Sequence, residues 1–249
     1  MYTFESRVRY SESDESGRLS LEGALNYLQD CSTFQSEDLG MGLSSLREKR
    51  RAWWLSSWQI VFHRRPLFGE RIRISTWPHG FRGIYGYRNF TIADETGEYL
   101  VQADSCWFFY DLERRCPARV TQDEIRGYGQ GQEALVLPPA PRRIILPQEY
   151  TDGEPVAVKR RHLDTNRHVN NAQYVSIARE LLPEQFSVRE LKAEYKRAAA
   201  QGERMYPKIA RIQEGYVVSL QDENGTPYAN IWMAENGGGG SADAVRAAE

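Results

Sequence analysis

Two periodicities of apolar and polar positions along the chain predict its helices and strands. Between residues 19 and 28 the apolar side chains recur mostly every three or four positions, and residues 169–178 repeat this spacing, so both stretches predict amphipathic helices. Runs rich in aromatic and β-branched residues follow each helix and predict strands. The predicted strands are 53–63, 70–79, 85–93 and 98–110 in the first half, and 188–199, 205–213, 215–221 and 227–234 in the second.

The two halves of the chain are related by an offset of 150 residues. Asp14 precedes the first predicted helix as Asp164 precedes the second, and each half later carries an acidic, glycine-containing hairpin turn, at 94–97 and at 222–225. Each half therefore predicts one long helix followed by about four antiparallel strands. We expect an α+β protein in which each sheet wraps around its helix, with the two sheets paired edge to edge so that fewer strand edges stay exposed.

Composition divides the chain into predicted domains. Proline and glycine concentrate between residues 111 and 156, which indicates a crossing between the two halves that is partly ordered and packed across the sheets. We predict an N-terminal domain at 1–125, a linker at 126–156 and a C-terminal domain at 157–236. The glycine-rich end, residues 237–249, predicts a flexible tail.

Charge and hydropathy exclude several classes of function. The 32 basic and 34 acidic residues give a net charge of -2, which argues against a general nucleic-acid coat. No apolar run reaches the roughly 18 residues of a membrane span, and the first residues lack a secretion signal, so we expect a cytoplasmic protein. The three cysteines have no CxxC spacing and indicate neither a disulfide framework nor a zinc site.

A dense polar segment, residues 162–171, stands immediately before the second helix. It places Asp164, Asn166 and His168 near a helix start, where unpaired N–H groups favour an oxygen that gains negative charge. The first half keeps the aspartate but has Ser16 and Arg18 at the corresponding positions. This difference favours a hydrolytic site in the second half, although Asp and Asn also serve simply as helix caps.

This segment resembles a known family. Residues 163–174 are similar to the Leu-Asp-x-Asn-x-His-Val-Asn-Asn-x-x-Tyr signature of the fatty acyl-ACP (acyl carrier protein) thioesterases, and the likeness covers about residues 4 to 234. It implies a tandem hotdog fold and hydrolysis of the thioester between a fatty acyl chain and acyl carrier protein. By motif position it makes Asp164, Asn166 and His168 the catalytic residues, with no metal and no organic cofactor.

The chain departs from the family pattern after Glu194. Where the family often has Glu-Cys, this sequence has Ala198 and Ala199, which excludes a cysteine nucleophile at that place. Water then attacks directly, or Glu194 or Glu203 supplies the missing carboxylate. The resemblance leaves open whether His168 or Asp164 is the base, while Asn166 and backbone N–H groups hold the carbonyl or the water.

The aromatic load of the first half has two interpretations, an acyl pocket or ordinary core packing. The residues concerned are Trp53, Trp54, Trp58, Phe62, Trp77, Phe81 and Phe90. Short basic runs such as 159–161 match the acidic surface expected of a carrier protein, or are solvated faces. Two other functions stay open, an acyl-CoA thioesterase and a non-catalytic acyl-binding protein, and the chain is expected to be a monomer or homodimer.

Overall fold

A single antiparallel sheet of twelve strands carries the helices of both halves. The computed structural model describes residues 1–129 and 131–235. The strands are β1 (Tyr2–Arg7), β2 (Arg51–Phe62), β3 (Arg71–Arg82), β4 (Tyr85–Ala93), β5 (Tyr99–Asp111), β6 (Cys116–Pro117), β7 (Thr151–Asp152), β8 (Val156–Ala157), β9 (Glu190–Tyr195), β10 (Arg204–Arg211), β11 (Gly215–Gln221) and β12 (Pro227–Ala234). The helices are α1 (Leu21–Asp38), α2 (Leu43–Glu48), α3 (Gln122–Tyr128) and α4 (Asn171–Glu180).

Both predicted helices and all eight predicted strands are confirmed. The prediction for β9 was too long, because the strand ends at Tyr195 rather than at 199. There the N–H groups of Lys196 and Arg197 both donate to the carbonyl of Tyr228, at 2.8 and 3.2 Å, and this shared acceptor ends the regular ladder. The predictions missed strand β1, the two-residue strands and the short helices α2 and α3. Helices and strands of this length give little periodic signal, except for β1, whose six residues alternate in burial.

The two halves join through strands β2 and β9, which confirms the predicted edge-to-edge pairing. The main strand order is β1-β3-β4-β5-β2-β9-β12-β11-β10-β7, with β6 on β5 and β8 on β10. Residues 57–61 of β2 pair with β5 on one side and with β9 on the other. One continuous apolar core lies between the sheet and the helices α1 and α4.

A bulge in β2 places the aromatic side chains of this strand. The register between β2 and β5 shifts between Leu55 and Ser57, which inserts one unpaired residue. Because strand side chains alternate between faces, the extra residue lets Leu55 and Trp58 both face the helices. The side chain of Trp53 is brought to that same face, near helix α2.

The segment at 131–147 crosses the face of the sheet opposite the helices, as predicted. Strand side chains supply much of its hydrogen bonding, so its polar backbone groups are satisfied without a strand of its own. These bonds run from Trp77 Nε1 to the Glu133 carbonyl (2.9 Å), from the Leu135 N–H to Asn89 Oδ1 (2.9 Å), from Gln59 Nε2 to the Pro138 carbonyl (2.7 Å) and from the Ile144 N–H to Glu194 Oε1 (3.0 Å).

The predicted domain limits and the predicted flexible tail are not tested by the fold. The domain limits stay a prediction, and helix α3 runs across the predicted limit at residue 125. The tail expected to be flexible, residues 237–249, lies outside the described residues. No helix in the described ranges is both long and apolar enough to cross a membrane.

Stability at the junction of the halves is testable at Ile60. This side chain is fully buried and lies opposite Leu191 of β9. We expect Ile60→Val to lower the free energy of unfolding by about 1 kcal/mol, because it removes one buried methylene. Ile145→Val is the matched control, since Ile145 is 72% exposed. Urea denaturation of both variants measures the difference, and equal losses would contradict a packed junction.

Candidate active site

Residues 163–169 form a closed turn that gathers the predicted site residues. Leu163 and Val169 pair across it, the Asp164 N–H donates to the His168 carbonyl at 2.8 Å, and the Arg167 N–H donates to the Asp164 carbonyl at 3.0 Å. Arg167 adopts a left-handed backbone conformation with φ of +60°. The turn therefore holds Asp164 and His168 on facing strands of the loop, with Asn166 at its tip.

The Asp164 carboxylate organises this turn. Its Oδ1 accepts hydrogen bonds from the N–H groups of Asn166 at 2.8 Å and of His168 at 3.2 Å. Its second oxygen, Oδ2, has no hydrogen-bond partner among the described residues. Asn166 is exposed and His168 half-buried, and neither side chain bonds to the part of the chain that the structure describes. The carboxylate thus fixes the backbone while both side chains remain available to a ligand.

The first half builds the same turn without the imidazole. Asp14 Oδ1 accepts from the N–H groups of Ser16 at 3.0 Å and Arg18 at 3.2 Å, and Gly17 takes the left-handed position with φ of +72°. Asp14 Oδ2, however, pairs with the Arg65 guanidinium. The helix-cap interpretation is therefore wrong for both aspartates, because Ser20 caps α1 and Asn170 caps α4. Each aspartate instead organises the turn before its helix, and the imidazole and the free carboxylate oxygen belong to the second turn alone.

That pairing also affects the charge of the first-half carboxylate. Burial alone raises the pKa of Asp14, but hydrogen bonds from Ser16, Arg65 and Arg18 outweigh burial and hold the pKa below its usual value. Asp14 is therefore held as a structural anion.

The start of helix α4 is capped by its own side chain. Asn170 Oδ1 accepts from the Ala172 N–H at 2.9 Å, and its carbonyl accepts from the Gln173 N–H at 2.9 Å. The Asn171 N–H has no acceptor in the described ranges. Among the N–H groups at the start of α4, the one of Asn171 is therefore available to a substrate carbonyl oxygen. Those of Ala172 and Gln173 already donate to Asn170.

Glu194 lies away from the turn. It is 7% exposed, on the sheet face covered by the crossing segment, where Oε1 accepts from the Ile144 N–H and Oε2 from Lys196 Nζ at 2.6 Å. Tyr195, its neighbour in β9, faces the helix side instead and donates to the Asn171 carbonyl at 3.1 Å. With both oxygens engaged on the far face, Glu194 is a structural anchor for the crossing segment.

Glu203 lies beside the turn. Ala200 pairs with His168 in an isolated bridge, and the Ala200 N–H donates to Glu203 Oε2 at 2.6 Å. The pKa of the Tyr174 hydroxyl is raised to about 12, first by burial and then by nearby negative groups that include Glu203 and Asp164. The two carboxylates therefore both act electrostatically on this tyrosine, whose hydroxyl accepts from the Ala199 N–H at 2.8 Å.

A cavity of about 130 Å³ opens on the helix side of the first half. Its lining residues are Ser32, Thr33, Ser36, Gly42, Leu43, Leu46, Trp53, Pro78, Phe81, Gly86, Tyr87, Arg88, Trp107 and Tyr128. Asn171 Nδ2, at the end of the polar segment, donates to Gln29 Oε1 of α1 at 3.1 Å. Because Gln29 lies one turn before Ser32 and Thr33, the contact joins the polar segment to the helix that walls the cavity.

The aromatic residues of the first half are divided between the wall of this cavity and the core. Trp53 and Phe81 line the cavity. The core interpretation holds for Trp58, Phe62 and Phe90, which are at most 2% exposed. The polar lining from α1 and β4 was not predicted, because the serines of α1 face the cavity only once the helix packs on the sheet.

Comparison with known proteins identifies both halves. The family model for the acyl-ACP thioesterase N-terminal domain matches residues 1–128, and the model for the C-terminal domain matches residues 147–234. The chain is 25% identical over 200 residues to oleoyl-acyl carrier protein thioesterase 2 of Arabidopsis thaliana, covering 72% of this chain and 53% of the relative. It is 24% identical to acyl-ACP hydrolase FATB2 of Cuphea viscosissima, covering 93% and 58%.

Solved structures share the fold over nearly the whole chain. An acyl-ACP thioesterase from Bacteroides thetaiotaomicron matches with a TM-score of 0.84 at 22% identity, covering 93% of this chain and 96% of that one. The 12:0-ACP thioesterase from Umbellularia californica matches with a TM-score of 0.79 at 17% identity, covering 94% and 96%. The likeness confirms the predicted tandem hotdog fold. The chain spans about half the length of the first curated relatives it matches.

Proposed function

Because the chain belongs to the acyl-ACP thioesterase family, we propose that it hydrolyses fatty acyl-ACP to free fatty acid and holo carrier protein. The observation that carries this proposal is the turn at 163–169, in which the Asp164 carboxylate binds the N–H groups of Asn166 and His168 and leaves both side chains without a described partner. The corresponding turn of the first half lacks the imidazole and has its aspartate paired with Arg65. Only the second turn has groups free to act on a substrate.

The proposed mechanism is direct attack by water. His168 takes a proton from water as the new C–O bond forms, Asn166 and the Asn171 N–H hold the carbonyl oxygen, and the C–S bond then breaks. The proton on His168 passes to the departing thiolate. Asp164 holds the turn through Oδ1, and its second oxygen is free to stabilise the imidazolium that forms when His168 takes the proton.

We also propose a division of labour between the halves. Residues 1–125 supply the pocket for the acyl chain, residues 157–236 supply the catalytic turn, and 126–156 link them. The protein acts in the cytoplasm as a monomer or homodimer, and the reaction needs no metal or organic cofactor. The family name of both matching halves and the position of the cavity in the first half support this arrangement.

Three arginines near the turn suit an anionic carrier. Arg160, Arg161 and Arg167 stand where the first half has Tyr10, Ser11 and Gly17, and all three arginines are exposed. None forms an ion pair with a described carboxylate. They supply unpaired positive charge close to the proposed reaction site, which matches the phosphate of a carrier arm and the acidic surface of a carrier protein.

Thiol release tests the function. The wild-type protein is given acyl-ACP thioesters of increasing chain length and, in parallel, the same acyl groups on coenzyme A. We expect release from ACP with higher kcat/KM. A preference for coenzyme A would overturn the partner and favour the acyl-CoA alternative, while acyl-ACP binding without thiol release would favour the non-catalytic one.

A pair of carboxylate variants tests the substitute for residue 198. We propose Glu203 as a positioning residue for the turn, and expect Glu203→Gln to lower kcat by about tenfold with KM unchanged, because it removes a negative charge beside the His168 segment. Glu194→Gln is the matched control on the opposite face and should leave kcat and KM unchanged. Thermal melting checks that both variants fold, and a wild-type kcat for Glu203→Gln would contradict the assignment.

A further inference from the structure

Arg88 of strand β4 is a buried cation at the wall of the cavity. Its side chain is 8% exposed and lies on the helix side of the sheet. Nη1 donates to Gln35 Oε1 and, at 3.1 Å, to Thr76 Oγ1, while the guanidinium carbon lies 5.3 Å from the centre of the Tyr128 ring. All three neighbours are neutral side chains.

No described carboxylate forms an ion pair with Arg88. The titratable groups that act on it are Tyr128 and Cys31, and burial raises the pKa of both, that of Cys31 to about 12, so both are uncharged at neutral pH. Burial lowers the pKa of Arg88 to about 10, which still leaves it protonated. The cavity wall therefore carries a positive charge that no group in residues 1–129 or 131–235 neutralises, an arrangement that costs free energy unless a ligand offsets it.

Part of the guanidinium is free to bind. It has five N–H donors in a fixed fork, and the two recorded hydrogen bonds both leave from Nη1. Each nitrogen of Arg88 either has a hydrogen-bond partner or is partly accessible to solvent. The donors without a described acceptor are therefore accessible. Because Arg88 lines the cavity, we take these donors to face it.

The rest of the wall divides into an apolar part and a polar part. Leu43, Leu46 and Phe81 give the surface that an alkyl chain needs. Next to Arg88, Ser36 Oγ and the Tyr128 hydroxyl share a hydrogen bond of 2.9 Å. An acyl chain that ended in a methyl group would put that methyl against a desolvated cation. An oxygen at the same place would accept hydrogen bonds from the free N–H groups of Arg88.

We propose that the preferred substrate carries an oxygen on its acyl chain away from the thioester, as a hydroxyl, keto or carboxylate group, and that Arg88 binds this oxygen. The inference rests on the proposed thioesterase function and names its substrate class. The size of the cavity fits a short chain, because an apolar cavity of about 150 Å³ holds a benzene molecule, which has six carbons.

Matched acyl chains test the proposal. Heptanoyl-ACP and 6-hydroxyhexanoyl-ACP have the same number of heavy atoms in the chain and differ only in a terminal methyl or hydroxyl; undecanoyl-ACP and 10-hydroxydecanoyl-ACP repeat the comparison at greater length. We expect wild-type kcat/KM to favour the hydroxylated partner by about tenfold or more in at least one pair, since a site built for an oxygen discriminates against its absence.

Arg88→Met and a control variant complete the test. Arg88→Met should abolish or invert the preference, while Arg73→Met, at an exposed position of β3, should keep it. Thermal melting verifies that both fold. Equal rates within both pairs for wild type, or a preference that survives Arg88→Met, would overturn the proposal without touching the thioesterase function.

Direct binding keeps the proposal testable if no thioester is hydrolysed. The N-acetylcysteamine thioesters of the same four acids are titrated calorimetrically into His168→Ala, with and without Arg88→Met. Tighter binding of a hydroxylated thioester that depends on Arg88 would support the inference even where hydrolysis fails, and equal affinities would reject it.

Discussion

His168→Ala should lower kcat for acyl-ACP hydrolysis by about a hundredfold to ten-thousandfold, the range that a positioned acid-base group contributes. The variant should remain folded, because the imidazole is half-buried and bonds to no other described side chain. Residue 168 donates its backbone N–H to the Asp164 carboxylate and pairs with Ala200 through its backbone. Both contacts use atoms that alanine also has. Thiol release at saturating substrate, with thermal melting beside it, measures both expectations.

The repeat supplies the control for this variant. Arg18 occupies the corresponding place in the first turn and donates to the Arg65 carbonyl at 3.1 Å. Arg18→Ala should leave kcat within twofold of wild type, even if it costs some stability. Near-normal turnover by folded His168→Ala would reject the site assignment, and an equal loss in Arg18→Ala would show that both turns act only through the fold.

Asp164→Asn should lower kcat by about a hundredfold or more without opening the turn. Asparagine keeps the side-chain oxygen that accepts from the N–H groups of Asn166 and His168, but it removes the negative charge. The loss therefore reports the charge rather than the turn geometry. Comparison of kcat with KM checks this, since a loss confined to KM would indicate a binding role instead.

Asp14→Asn is the reciprocal variant. It keeps the first turn and loses the ion pair with Arg65, so its expected effect is on stability, while kcat remains that of wild type. We expect Asp14→Asn to lower the midpoint of urea denaturation and to leave kcat unchanged. We expect Asp164→Asn to lower kcat and to leave the midpoint unchanged, which would separate the two aspartates. Similar behaviour of both variants would contradict the assignment.

Local signals in the sequence were sufficient for the main elements. The spacing of three to four up to Leu28 predicts α1, and the aromatic runs predict β2 to β5. These elements form as predicted because the apolar positions of each mark the face that it buries in the shared core. The aspartate turn was also readable, since Asp14 and Asp164 stand at corresponding positions. The resemblance directed attention to the second turn, and the imidazole distinguishes it from the first.

Other features depend on contacts that are distant in sequence. The environment of Glu194 is set by Ile144 on the crossing segment, fifty residues away, so the sequence around Glu194 does not show which face of the sheet it occupies. The neighbours of Arg88 come from α1, β3 and α3 and meet only in the folded chain. For the same reason Glu203 could not be separated from Glu194 before the bridge between His168 and Ala200 was visible.

The crossing segment restricts how this chain can assemble. It lies across the sheet face opposite the helices, over strands of both halves, and takes hydrogen bonds to or from Asn89, Gln59 and Glu194. A second copy cannot stack on the covered strands without displacing it. A homodimer that formed through an outer edge of the sheet, at β1 or at β7, would leave this segment in place and would lengthen the sheet instead of thickening the molecule.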